Sequence, residues 1–143
     1  MVPGPAGVER LRRLITDGSR LAPIARLLGA RVLSVEEGRI QVEFAVKDDF
    51  KHPGGAVQGG IVTAYLDMCM AMAAHTLFDS GEFFTTSALT VNFLVPITEG
   101  PVLAEGTVLK KGRSTVFLEG AVRDGRGRDY AHASSVGSIR RPK

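Results

Sequence analysis

Tryptophan is absent from the 143-residue sequence, and cysteine occurs once, as Cys69. A lone cysteine excludes a disulfide framework within the chain and excludes metal or redox sites built from paired cysteines. Aromatic residues make up only 6% of the chain, and they are not interleaved with clustered basic residues as they are on nucleic-acid-binding surfaces. The net charge of +3 is small. We therefore expect no nucleic-acid partner.

An uninterrupted membrane-spanning run is also missing. The most apolar segment, residues 61–78, contains Asp67 and His75, and an acid at that depth is costly in lipid. Residues 1–7 are rich in proline and glycine and are not followed by the apolar run of a signal peptide. The sequence predicts a cytoplasmic protein without a membrane partner.

The length and the hydrophobic content of 44% indicate one folded domain over residues 1–143. Residues 1–21 are predicted to form an N-terminal helical extension, because apolar residues recur there at helical spacing beside three arginines. The apolar content is slightly high for a small monomer, which suggests that part of the surface is buried against another subunit.

Apolar composition and alternation predict one long helix among several strands. Residues 61–77 are apolar on nearly every side and rich in alanine and methionine, which favours a buried helix. Alternating apolar residues predict strands at 32–35, 40–46, 89–95, 102–109, 116–122 and 130–139. The strands after the helix are spaced as in an antiparallel meander. We therefore predict an α+β fold in which an antiparallel sheet wraps around the long central helix.

Asp67 is the most informative residue of that helix, because a buried carboxylate is costly unless it is paired or functional. It could lie at a subunit interface, or a nearby hydroxyl such as that of Thr63 could hold it. It could also act as a nucleophile or a general base at the edge of a pocket.

Gly59 and Gly60 come just before this helical run. Glycines at a helix start expose backbone N–H groups that, with the helix dipole, suit a developing oxyanion. The alternative is a tight turn into the helix. No Lys-Ser/Thr pair follows, so the segment is not a P-loop, and no parallel βαβ unit surrounds it.

The remaining polar clusters are less specific. His52, His75 and His132 are not spaced as metal ligands, so we expect no metal site. Residues 110–113, Lys-Lys-Gly-Arg, are either a solvated hairpin turn or a site for a phosphorylated ligand.

The segment 52–60, His-Pro-Gly-Gly-Ala-Val-Gln-Gly-Gly, resembles the signature of PaaI-like hotdog-fold thioesterases. That signature reads Asn-x-x-Gly-x-x-His-Gly-Gly and places an acid nine residues after its histidine, as Asp67 follows Gln58 here. Residues 89–96 and 111–124 resemble the later strands of the family, and the likeness extends over about residues 22–139.

The resemblance implies a hotdog fold, with the helix from about 58 to 78 at its centre. It also implies hydrolysis of acyl-CoA or aryl-CoA thioesters without a metal or organic cofactor. Proteins of this family form homodimers, usually paired into homotetramers, and build their active sites across the dimer interface.

By position in the motif, Asp67 would be the nucleophile or the base that activates water. The Gly59 N–H would polarise the thioester carbonyl. His52 would orient water or the carbonyl, and Thr86 falls near the serine or threonine of the family's catalytic site. The resemblance further implies a role for Gln58 in the catalytic site.

Contacts with CoA are expected from the second helix glycine and from the basic turn, namely Gly60, Lys111, Gly112 and Arg113.

The sequence departs from the family motif at two positions. His52 replaces the usual asparagine, and Gln58 replaces the usual histidine. His52 can orient water or act as a base, whereas Gln58 can form hydrogen bonds but cannot carry a proton. The alternative function is therefore a non-catalytic acyl-CoA-binding protein with the same fold.

Overall fold

The computed structural model describes residues 6–143, so the first five residues of the predicted N-terminal extension lie outside the described residues. Helix α1, Ala6–Thr16, is amphipathic and buries Val8 and Leu11. A 3-10 turn follows at Gly18–Arg20, and the short helix α2 spans Pro23–Leu27. No helix in the described part of the chain is long and apolar enough to cross a bilayer.

The long helix α3, Gly59–His75, carries the centre of the core. Its fully buried residues recur at intervals of three and one, which places them on one helix face: Val62, Tyr65, Leu66, Cys69, Met70, Ala73 and Ala74. Tyr65 stacks on Phe44 with ring centroids 4.7 Å apart and donates a hydrogen bond of 2.7 Å to the Ala45 carbonyl. The predicted central helix is confirmed, and it begins two residues earlier than the apolar run.

The sheet covers that face of α3 and leaves the opposite face partly open. On the open side Ile61, Ala64, Met68 and Ala71 are apolar but only half-buried. A single copy of the chain therefore leaves apolar helix surface in contact with solvent.

Six antiparallel strands form one sheet: β1 Arg31–Glu36, β2 Arg39–Phe44, β3 Phe83–Phe93, β4 Val102–Lys111, β5 Thr115–Arg123 and β6 Asp129–Arg140. Their order is β1-β2-β4-β5-β6-β3. The predicted α+β class, with a sheet packed around a central helix, is confirmed.

The predicted meander is correct for β4, β5 and β6 but wrong for β3, which pairs with β6 at the far edge of the sheet. The connection between β3 and β4 is too long for a tight hairpin, and it contacts the loop before α3. Its Ile97 carbonyl accepts a 2.8 Å hydrogen bond from the Val57 N–H, in the loop before α3. In the sheet, β5 and β6 therefore lie between β4 and β3.

β3 also begins six residues before its predicted start. The register with β6 shifts between Thr86 and Ala88, which marks a bulge at Ser87. A bulge adds one residue and reverses the alternation of faces. Phe84 and Leu89 therefore point inward although they are an odd number of residues apart, and the period-2 pattern hides the first half of the strand.

The two edges of the sheet are covered differently. α1 packs against β1, and the Arg12 Nε donates a hydrogen bond of 3.2 Å to the Val35 carbonyl in that strand. β3 has β6 on one side, and within residues 6–143 no strand pairs with its other side. A long unpaired edge strand is a template for pairing with another chain.

Candidate active site

Asp67 and Thr86 are brought together by α3 and the edge strand β3. The Thr86 hydroxyl donates a hydrogen bond of 2.7 Å to Asp67 Oδ1. Asp67 is half-buried and Thr86 is exposed, so the pair lies at the protein surface. Thr63, which could have held the carboxylate, instead donates to the Gly59 carbonyl at 2.8 Å. We call Asp67 and Thr86 the acid half of the site.

The start of α3 supplies hydrogen-bond donors. The N–H groups of Ile61 and Val62 reach the Gln58 carbonyl, whereas those of Gly59 and Gly60 have no partner in the described chain. Unpaired N–H groups at a helix start carry partial positive charge. They suit an anionic or polarised oxygen.

A cavity of about 280 Å³ opens beside this helix start and is lined by His52, Gly59 and Phe93 among others. A Cβ atom on Gly59 would lie 3.3 Å from Phe93 Cζ, closer than ordinary van der Waals contact. Glycine at this position therefore lets the end of β3 pack against the helix start.

His52 enters this cavity from a turn held by its own backbone. The His52 N–H donates to the Ala56 carbonyl and the His52 carbonyl accepts from the Gly55 N–H, both at 2.9 Å. The ring Nδ1 accepts a hydrogen bond of 2.9 Å from the Gly54 N–H. We call His52, Gln58 and Gly59 the donor half of the site.

Gln58 occupies the position just before α3. Its side chain is exposed and makes no capping hydrogen bond, while its N–H donates to the Phe50 carbonyl at 2.8 Å. The backbone is thus fixed and the amide group is free to contact a ligand.

The two halves are separated within one copy of the chain. Gly59 and Asp67 are eight residues apart on one helix, which corresponds to about 12 Å along its axis. The structure thus brings Asp67 together with Thr86 and His52 together with Gly59, but it does not bring the two pairs together.

The basic residues expected to contact CoA form the exposed β4–β5 turn. Gly112 closes the turn by donating to the Thr115 carbonyl at 2.7 Å, and the Arg113 carbonyl accepts from the Arg141 guanidinium. Lys111 and Arg113 are both exposed. The turn lies at the end of the sheet where β3 begins, which is the side of the acid half.

His75 was considered from the sequence only as a metal ligand, but in the structure it supports the acid half. Its Nδ1 donates 2.7 Å to the Ala71 carbonyl, and its Nε2 accepts from the Phe84 N–H at 3.2 Å. Burial lowers the pKa of His75. This neutral imidazole ties the end of α3 to the start of β3, two residues before Thr86.

Cys69, which follows Asp67 by two residues, is buried. Burial raises the pKa of the Cys69 thiol, which makes it a poor nucleophile. Within residues 6–143 no three His, Cys, Asp or Glu side chains are close enough to hold a metal ion together.

The sequence of the chain is similar to a family model and to other proteins. A family model described as "Thioesterase superfamily" matches residues 54–131, which include Gln58, Gly59, Asp67 and Thr86 but not His52. A protein of Saccharolobus solfataricus named "Putative esterase SSO2140" is 35% identical over 120 residues, covering 84% of this chain and 85% of that protein.

Solved structures share the fold. A crystal structure from Ralstonia eutropha JMP134, described as a "putative thioesterase, phenylacetic acid degradation-related protein", superposes with a TM-score of 0.82 at 25% identity and covers 89% of this chain and 97% of that one. The Escherichia coli PaaI protein superposes with a TM-score of 0.81 at 19% identity, covering 93% and 95% of the two chains. The predicted hotdog fold is confirmed.

Proposed function

The chain belongs to the thioesterase superfamily, a family of hydrolases, and from this membership we propose that it hydrolyses acyl-CoA or aryl-CoA thioesters to the free acid and CoA. The observation that carries the proposal is the Asp67 carboxylate, which Thr86 holds at 2.7 Å on a partly exposed helix face. A carboxylate fixed in this way can act at a substrate atom without first rearranging.

Asp67 has two possible roles in the reaction. As a general base it takes a proton from a water molecule, whose oxygen attacks the thioester carbonyl carbon. As a nucleophile it attacks that carbon itself, forming an acyl anhydride that water then hydrolyses. With Asp67 as a base, the proton taken from water passes to the sulfur as the carbon–sulfur bond breaks and the thiol leaves. With Asp67 as a nucleophile, the thiolate leaves as the anhydride forms, and the water that later hydrolyses the anhydride supplies the proton of the thiol. Each route consumes one water molecule and restores the Asp67 carboxylate.

The donor half would stabilise the negative charge that develops on the carbonyl oxygen. The free Gly59 N–H and the positive end of the α3 dipole offer a preorganised donor for this oxygen. The exposed Gln58 amide can add a hydrogen bond but no proton transfer.

A second copy of the chain would bring the two halves together. The Gly59 N–H and the Asp67 carboxylate of one copy are too far apart, at about 12 Å, to contact the same carbonyl group. Two-fold pairing of β3 edges is antiparallel and sets the start of one β3 beside the end of the other. Because Thr86 lies near the start and Phe93 at the end, this pairing would set one acid half beside the donor half of the second copy.

We therefore propose a homodimer formed through β3, with two sites that each use both copies. The half-buried apolar side of α3 supports burial against a second subunit. Assembly of two dimers into a homotetramer remains part of the proposal.

The basic turn would then serve the nucleotide part of CoA. Lys111 and Arg113 are exposed cations on the acid side of the site, and such cations bind phosphate groups. The Gly112 N–H already donates to the Thr115 carbonyl, so Gly112 would serve CoA binding by shaping the basic turn. Gly60 lies at the helix start. The Gly60 N–H has no partner in the described chain.

The test is release of free thiol from a panel of acyl-CoA and aryl-CoA esters by the purified protein. We expect turnover of at least one ester and its loss in Asp67→Ala. Asp49→Ala, which removes an exposed acid outside the site, is the matched control and should keep wild-type activity. Full activity of Asp67→Ala, or no hydrolysis of any ester, contradicts the proposal. If calorimetry shows that CoA esters bind without turnover, the non-catalytic alternative replaces it.

A further inference from the structure

The ring of His52 is fixed by an unusual partner, the backbone N–H of a residue two positions further along the chain. Gly54 donates to His52 Nδ1 at 2.9 Å. A nitrogen that accepts a hydrogen bond carries no proton of its own, so the neutral ring carries its proton on Nε2. Nε2 makes no hydrogen bond to any other described residue, and His52 lines the cavity next to Gly59.

The contact depends on Gly54 being glycine. A Cβ atom at position 54 would lie 2.8 Å from His52 Cε1 and 3.0 Å from Nδ1. The first distance is one that real Cβ atoms essentially never show, and both neighbours belong to the ring. Any side chain at position 54 must therefore push the imidazole away from the backbone N–H.

On these two observations we propose that Gly54 is a positioning residue, which fixes His52 as the Nε2–H tautomer so that His52 acts on the substrate as a neutral hydrogen-bond donor and not as a base. This inference rests on the proposed thioesterase function. His52 Nε2–H then joins the Gly59 N–H as a second donor to the oxygen of the thioester carbonyl. A base would need an unprotonated Nε2, which the Gly54 contact disfavours because Nδ1 would then have to carry the proton.

His75 offers an internal reference for the tautomer. Its Nδ1 faces the Ala71 carbonyl, which can only accept, and its Nε2 faces the Phe84 N–H, which can only donate. His75 therefore has its proton on Nδ1, the opposite of His52. The chain thus contains both neutral tautomers, each set by backbone groups.

The first experiment reads the tautomers directly, by nuclear magnetic resonance of ¹⁵N-labelled histidine side chains in the substrate-free protein at pH 8. His52 signals are assigned by their loss in His52→Gln. We expect the Nε2–H pattern for His52 and the Nδ1–H pattern for His75. In Gly54→Ala the His52 pattern should change toward the mixture of a free imidazole. In the control Gly125→Ala, whose Cβ meets nothing within 4 Å, it should not.

The second experiment separates a donor from a base by kinetics. Glutamine keeps a side-chain N–H that can reach the position of Nε2–H, so His52→Gln should retain activity within about ten-fold of wild type, whereas His52→Ala should lose about 100-fold, the effect of one lost oxyanion donor. Gly54→Ala should lower kcat/KM in proportion to the fraction of His52 that has left the Nε2–H tautomer.

A base predicts the opposite results. His52→Gln would be as inactive as His52→Ala. Either that result or an Nδ1–H pattern for His52 overturns the inference. If wild type hydrolyses no thioester, the proposed function fails and the role of His52 fails with it, whereas a failure of glutamine rescue in an active enzyme overturns the inference alone.

Discussion

The first turn of α3 and the turn that carries Asp67 belong to one helix but offer a substrate different chemistry. The donor half relies on backbone: free N–H groups, a dipole and a histidine whose ring is held by Gly54. The acid half relies on side chains, Asp67 and Thr86, held between a helix and a strand. In the proposed reaction the thioester needs a donor at its oxygen and a carboxylate near its carbon. Each half therefore requires the other, but within one copy of the chain the two halves lie about 12 Å apart along the helix.

The largest effect within the donor half is expected from Gly59→Ala. The new methyl group would press on Phe93 at 3.3 Å and crowd the approach to the N–H group. We expect kcat/KM to fall about 100-fold, because displacing one oxyanion donor costs 10²–10³ in rate. Steady-state kinetics beside Gly125→Ala, which adds the same methyl in open space, provides the measurement. An active Gly59→Ala would remove this residue from the donor half.

Thr86→Val tests the acid half with a change that preserves shape. It removes the hydroxyl that donates to Asp67 at 2.7 Å. A hydrogen bond to a charged group contributes about 1.5–3 kcal/mol, so misplacement of the carboxylate should lower kcat by about ten-fold. The exposed Thr98 provides a matched control, Thr98→Val. Equal kcat values for the two variants would contradict a role of Thr86 in holding Asp67.

A smaller effect is expected from the basic turn. Replacing Lys111 and Arg113 by alanine should raise KM for a CoA thioester by about three- to ten-fold, because exposed cations contribute only modestly to phosphate binding. Neither kcat nor the hydrolysis of an N-acetylcysteamine thioester, which lacks the nucleotide, should change. An equal loss with both substrates would show that the turn acts on the reaction centre.

The smallest effect concerns stability at low pH. Burial lowers the pKa of His75 in the folded chain below its ordinary value of 6.5. As the pH falls below that value, the unfolded chain binds a proton that the folded chain resists, so the folded state loses stability. We expect Tm to fall between pH 7.5 and pH 5 by more in wild type than in His75→Gln, which cannot titrate. Parallel pH curves for the two proteins would contradict this assignment.

The sequence predicted the elements whose residue pattern is uniform along their length. α3 was evident because an apolar, alanine-rich run admits only a helix of that length. The first half of β3 was missed because the bulge at Ser87 reverses the alternation of faces. The position of β3 beyond β6 was missed because strand spacing along the chain does not specify which strands pair.

The candidate site was predictable in its residue types but not in its arrangement. Asp67 and Gly59 stand out from the sequence because an acid and two glycines are unusual on an apolar helix, and Thr86 was indicated only by resemblance to the family. The contact between Gly54 and His52 depends on the backbone path of one loop, which no periodicity encodes. The separation of the halves follows from the rise of the helix.

The central claim, that each site uses two copies of the chain, is tested most directly by mixed dimers. Asp67→Asn and Gly59→Ala are co-expressed with different affinity tags, and the heterodimer is purified through both tags. Each variant alone should have about 1% of wild-type activity or less, whereas the heterodimer contains one site with both halves intact and should recover about half of the wild-type rate, because two-fold symmetry gives two sites per dimer. A heterodimer no more active than the mean of the two variants would show that each site lies within a single copy.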